Sequence, residues 1–242
     1  MPVNNSASTD APLANNGPKT LVESAYRKLR RDIVEGQLLP GEKLRVEHLK
    51  NDYGVGSGTL REALSLLISD ALVISQGQRG FWVAPMSLTD FEDITRTRAM
   101  LECEALKLSI AHGDDAWEGD LMAAFHRLSR AEEKLGEEGS RDEWEERNRV
   151  FHETLISAAP SRWIKHFLAI LYRQSERYRR LSMYSRPIPR DIHVEHSEIL
   201  EATLARDAKR ASEVLVQHIS LTLDGLLKLP PELFLVPSVP AH

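Results

Sequence analysis

The sequence has a single cysteine, Cys103, in 242 residues, and aromatic residues make up only 6% of it. One cysteine excludes an internal disulfide, and its place in a helical apolar pattern predicts a buried thiol. There is no stretch of about eighteen uncharged apolar residues, so no membrane-spanning helix and no membrane partner is expected. The amino end, MPVNNSASTDAPLANNGPK, is polar and lacks an apolar signal core. A cytoplasmic chain with a disordered tail over 1–18 and a second tail over 231–242 is the expectation. Also missing are a Gly-rich phosphate loop, a nucleophile elbow and a paired-carboxylate arrangement, which weakens an enzymatic reading, and any internal repeat, which excludes a repeat architecture. Excess positive charge is lacking too, since the formal net charge is −5. That sum hides a division, because basic residues outnumber acidic ones between Lys19 and Ala84 and the remainder carries the acidic excess.

What is present is concentrated in LRVEHLKNDYGVGSGTLREALSLLISDALVISQGQRGFWV, residues 44–83. Leu44, Val46 and Leu49 suit a short helix over 44–53, broken at Gly54-Val55-Gly56. Ser57-Gly58-Thr59 then starts a second helix with Leu60, Ala63, Leu64, Leu67 and Ile68 on one stripe. Its opposite face offers Ser57, Thr59 and Arg61, donors suited to phosphates and base edges in a major groove. Residues 71–75 and 80–84 flank Gln76-Gly77-Gln78-Arg79 and predict a β-hairpin with a basic tip. An apolar stripe over Leu21–Val34 packs behind the motif. Together these segments predict a winged helix-turn-helix over 19–86, with candidate DNA contacts at Arg45, Ser57, Gly58, Thr59, Arg61, Gln78, Arg79 and Gly80. Its modest basic excess implies weak non-specific affinity, so a homodimer reading paired half-sites on double-stranded DNA is expected.

From residue 87 to 230 the pattern is helical throughout, with helices expected near 89–112, 114–136, 141–158, 162–184, 190–206 and 208–228. The fold class is therefore mainly α: a winged helix-turn-helix followed by an all-α antiparallel bundle. Asn148 and His152 stand at i, i+4 and share a helix face. His196 and His218 each lie eleven positions from Asp207, the bend between the last two helices. At ~1.5 Å per residue both sit roughly 16 Å from that bend, side by side if the helices are antiparallel. Three imidazoles and an amide oxygen can hold a divalent metal with positions left open, zinc or nickel best matching imidazole nitrogen. Histidines placed by chance are the alternative, since the chain has nine.

These residues also carry a resemblance. LPGEKL at 39–44, Tyr53-Gly54-Val55, Leu60-Arg61-Glu62-Ala63-Leu64 and Arg79-Gly80-Phe81-Trp82-Val83 resemble the signature of the gluconate-repressor (GntR) family of winged-helix transcription regulators. The family usually has Ser-Arg before the recognition helix, where Gly56-Ser57 stands here, so the operator sequence of better-known members cannot be carried over. Residues 90–221 are similar to the all-helical FCD effector domain of the family's FadR-like branch, through Arg98-x-x-Leu101-Glu102, Asn148-x-x-Phe151-His152, His196-x-x-Ile199-Leu200-x-Ala202 and His218-Ile219.

The resemblance implies a metal held by Asn148, His152, His196 and His218, with Asn148 replacing the usual aspartate. It also implies a small carboxylate effector at the open metal positions. Arg98 is the chosen carboxylate clamp, with Arg96 and Arg173 in reserve, although an Arg98–Glu102 salt bridge at i, i+4 accounts for the same spacing. The function expected is a metabolite-responsive regulator, a repressor and not an enzyme. The competing reading is a metal-dependent hydrolase or isomerase, which needs a general base beside the metal; Glu153, Glu195 and Glu198 are expected to turn mostly off the inward face.

Overall fold

In a computed structural model of the chain the described residues are 20–137, 139–185, 191–228 and 234, so the tails expected over 1–18 and 231–242 lie outside them apart from Phe234. Helix α1 (Leu21–Val34) starts at Thr20, whose hydroxyl accepts the N–H of Glu23 at 3.1 Å. It buries Ala25, Leu29, Ile33 and Val34 on one stripe. Helix α2 (Val46–Tyr53) ends at Gly54, where a φ of 64° puts the backbone in the left-handed region open to glycine. Helix α3 (Ser57–Ser69) follows and buries Leu60, Ala63, Leu64 and Leu67 against α1 and α2.

Strands β2 (Val73–Ser75) and β3 (Phe81–Val83) form the expected hairpin, but its tip is a single 3₁₀ turn over Gly77–Arg79. A third strand, β1 (Lys43–Leu44), pairs with β3 to give the antiparallel order β1-β3-β2. Leu44 therefore lies in a strand, not a helix. Its register opposite Phe81 fixes it in the head's core, and α2 begins only after Arg45. Ile68 departs from the predicted stripe as well, being 36% exposed beside the more exposed Leu66.

The remaining helices are α4 (Leu88–His112), α5 (Asp115–Glu132), α6 (Ser140–Leu155), α7 (Arg162–Ser185), α8 (Ile192–Leu204) and α9 (Ala208–Leu226). Several start where the sequence supplies an acceptor: Ser87, Asp114, Asp191 and Asp207 each take an N–H from the first turn of α4, α5, α8 and α9. Helix α4 packs on α7 and α9, α5 on α6 and α8, and α8 on α9. Leu106, Leu121, Leu128, Phe151, Leu168, Ile199 and Leu215 fill the space between them with essentially no exposed surface. Each such side chain contributes about 1.5–3 kcal/mol through burial. The Cys103 thiol is buried, with Sγ 3.7 Å from the Ser212 carbonyl oxygen.

Helix α7 joins the bundle to the winged head. Arg173 donates to Asp70 Oδ1 at 2.7 Å, Gln174 Nε2 to the Asp70 carbonyl at 2.8 Å, and Arg177 to the Ala84 carbonyl at 2.8 Å. Arg30 of α1 reaches Glu176 at 3.0 Å. Nearer the end of α7, Tyr178 is buried, stacks on Phe91 with ring centroids 4.4 Å apart, and donates to Asp90. These bonds fix the approach of α7 to the base of the wing and to the end of α3.

Candidate functional site

Helices α6, α8 and α9 each send one histidine to the same point inside the bundle. His152, His196 and His218 are buried, and one ligand nitrogen from each lies within 4.8 Å of the other two. The ring centroids of His196 and His218 are 4.7 Å apart, so two positions equidistant from the α8–α9 bend do meet across it. His152 comes up from α6 at 5.1 Å from His218 and 5.7 Å from His196. Asn148, one turn before His152, is buried and lines the same cavity of about 30 Å³ with Arg98, Arg179 and Thr222. One water needs about 10–15 Å³, so this space as it stands has room for an ion and a water, and an organic acid enters only where a side chain withdraws.

What orients the three rings is a set of carboxylates. His152 Nδ1 lies 2.9 Å from Glu102 Oε1, His196 Nδ1 2.6 Å from Glu132 Oε1, and His218 Nδ1 2.9 Å from Glu195 Oε2. A carboxylate only accepts, so each Nδ1 carries a proton, and in the neutral ring that leaves the lone pair on Nε2. That tautomer is the one a metal-ligating histidine uses, with the far nitrogen tied to a carboxylate. His196 Nε2 is buried with no hydrogen-bond partner, an acceptor that a divalent cation would satisfy. Three imidazole nitrogens at this spacing fit a divalent first-row cation.

The electrostatics agree with that arrangement. Burial pushes the His152 pKa down to about 4, against the opposing pull of Glu102, so its ring is neutral at pH 7. Burial alone would raise the Glu102 carboxyl; the Arg98 guanidinium and the His152 hydrogen bond win and hold it down at about 2. Arg98 is 7% exposed, donates to Glu102 Oε2 at 3.1 Å, and lies 4.8 Å from the ring centre of Tyr172. Arg98 thus makes the salt bridge and lines the cavity at once.

At the other end of the molecule, α3 presents its amino end without a side-chain cap, its first residue Ser57 turning instead toward Glu47 at 3.5 Å. Gly58 and Arg61 are exposed beside it, with Thr59 half-buried; Arg45, before α2, and Arg79, on the wing turn, are exposed on neighbouring segments. Gly80 closes that turn with a φ of 112°, and the Gln78 side chain lies outside the described residues. Uncapped helix N–H groups flanked by exposed cations form a surface suited to phosphate.

Residues 21–83 match the model for bacterial regulatory proteins of the gntR family, and residues 93–221 match the FCD domain. The chain belongs to the GntR family of transcription regulators. It is 47% identical over 225 residues to the HTH-type transcriptional regulator BphR of Paraburkholderia xenovorans, covering 90% of this chain and 91% of that one. It is 38% identical over 198 residues to the HTH-type transcriptional repressor GlaR of Escherichia coli, covering 80% and 90%. Among solved structures, E. coli McbR/YncC has the same fold, with a TM-score of 0.71 at 19% identity over 86% of this chain and 98% of that one.

Within this GntR chain, one of the three arginines singled out from the sequence, Arg96, stands away from the inner cavity. Arg96 points outward, 80% exposed and paired with Asp93 at 2.5 Å, because two positions along a helix from Arg98 is more than half a turn around it. Arg173 faces the joint with the winged head through Asp70, and also borders the inner cavity. Glu195 corrects the expectation that it turns off the inward face, since its carboxylate crosses from α8 to His218 on α9. Sequence reasoning missed Glu132 altogether. Its signal was an acidic residue at the end of the α5 stripe Leu121, Ala124, Leu128 and Ala131, where an apolar side chain is the rule.

Proposed function

We propose that this GntR regulator is a repressor whose grip on its operator is altered by a small carboxylate bound to a divalent metal in the helical bundle. The observation that carries the reading is the convergence of three carboxylate-oriented imidazoles, one with a buried and unpartnered Nε2. His152, His196, His218 and Asn148 hold zinc or nickel, and the ion anchors an oxygen of the acid while Arg98 faces the same space. The division of labour follows the chain: residues 19–86 bind DNA through Arg45, Ser57, Gly58, Thr59, Arg61, Gln78, Arg79 and Gly80, and residues 87–230 bind the effector. Two copies acting as a homodimer place two α3 helices in successive major grooves. GlaR carries the name of a repressor, which supports that direction of control.

The chain performs no turnover in this reading. Glu102, Glu132 and Glu195, the carboxylates nearest the cluster, are each engaged at an Nδ1, on the side of the ring away from the metal, and so are badly placed to act as a general base on a metal-bound molecule. Metal analysis tests the site. Protein purified without chelator is expected to hold about one divalent ion per chain by elemental analysis, and His152→Ala with His218→Ala to hold none while remaining helical. Equal metal in the double variant would refute the assignment.

A further inference from the structure

The cavity beside the histidines has a second lobe, of about 20 Å³, walled by Arg98, His152, Tyr172, Arg173, Glu176 and Arg179 among others. Arg98, Asn148, His152 and Arg179 line both and form the wall the two share. Two arginines of this wall, Arg98 and Arg173, each have an Nε–H that is buried without an acceptor. A buried cationic donor left unpaired is costly, and the acceptor that relieves it best is an anionic oxygen.

The three arginines differ in where their present partners lie. Arg98 pairs with Glu102 and Arg179 with Glu145, both inside the bundle. Arg173 pairs with Asp70, which ends the recognition helix α3 and also accepts from the Tyr26 hydroxyl of α1. Each lobe has room for only a water or two, so an organic acid is admitted only where a side chain withdraws. Arg173, with 23% of its side chain exposed against 8% for Arg98 and 13% for Arg179, is the least enclosed of the three.

We propose that the second lobe takes a second anionic group of the effector, making the ligand a diacid, and that Arg173 binds this group in exchange for Asp70. The inference rests on the reading above that the first carboxylate sits at the metal. Its consequence is local and directional. With Arg173 turned inward, Asp70 loses one of its two links to α7 and keeps the one from Gln174 to its carbonyl, so the end of α3 is held less firmly to the bundle.

The test is calorimetric titration of the zinc-loaded full chain with the straight-chain diacids from malonate to adipate, each beside the monoacid of equal length. At least one diacid is expected to bind about tenfold or more tightly than its monoacid, the margin of a charge-assisted contact. Arg173→Gln removes that margin and leaves monoacid affinity unchanged. Asp70→Asn widens it severalfold, because Arg173 no longer has a charged competitor; general loosening of the fold could not move the two variants in opposite directions. Diacids and monoacids that bind alike, or two variants that shift the margin the same way or not at all, overturn the proposal while the metal-held carboxylate stands. If zinc binds and no acid of either kind does, the parent reading fails and takes this one with it.

Discussion

At the level of single residues, the orientation of the three histidines is set by groups one bond further out. Glu132 illustrates this, since its two oxygens reach His196 Nδ1 at 2.6 Å and His193 Nδ1 at 2.8 Å. Replacing Glu132 by Gln keeps the size and removes the charge, so zinc affinity measured by competition with a chromogenic chelator is expected to fall about 10- to 100-fold. An unchanged affinity would mean the ring needs no such support. His152 sets a pH dependence. Its folded pKa of about 4 lies below the ordinary 6.5, so between these values the unfolded chain binds a proton that the native one refuses. Stability of the metal-free protein is therefore expected to decline as pH falls from about 6.5 to about 4, in urea melts, and His152→Gln to flatten that window. Glu102, held at about 2, adds its own loss only lower, between about 4.5 and 2. The meeting of the three histidines was legible in spacing because equal distance from a bend is a property of helices. The partners on Nδ1 were not, because Glu132 and Glu195 reach across helix pairs whose rotation no spacing rule fixes.

At the level of elements, boundaries set by capping side chains were readable and those set by tertiary pairing were not. Ser87, Asp114, Asp191 and Asp207 announce their helices, whereas β1 exists only because Leu44 lies opposite Phe81. Ile68 shows the same limit: it fits the helical period, yet α3 meets its neighbours over a narrower arc than the stripe. The turn from α4 to α5 gives a sharp test. A Cβ on Gly113 would meet Trp117 Cε3 at 2.1 Å, and Trp117 is buried with its indole N–H on the Thr154 carbonyl. Gly113→Ala is expected to destabilise by about 1–3 kcal/mol, read as a lower midpoint in chemical denaturation. No change in midpoint would mean the ring yields at no cost.

On the scale of the whole molecule, the candidate metal cluster and the recognition helix are connected through α7, which borders the inner cavity with Tyr172, Arg173 and Arg179 and grips the head with Arg173, Gln174 and Arg177. A ligand changes DNA binding only by the difference in its affinity for two placements of the head, and a useful switch needs a few kcal/mol. The most direct measurement is the affinity of the full chain for DNA from upstream of its own gene, by fluorescence anisotropy, with zinc or with chelator, and with or without a C3–C6 diacid series. The account predicts that an acid weakens binding by about tenfold or more in the zinc-loaded protein and leaves the chelated protein unmoved. An equal response with and without metal, or none to any acid in either state, would contradict it.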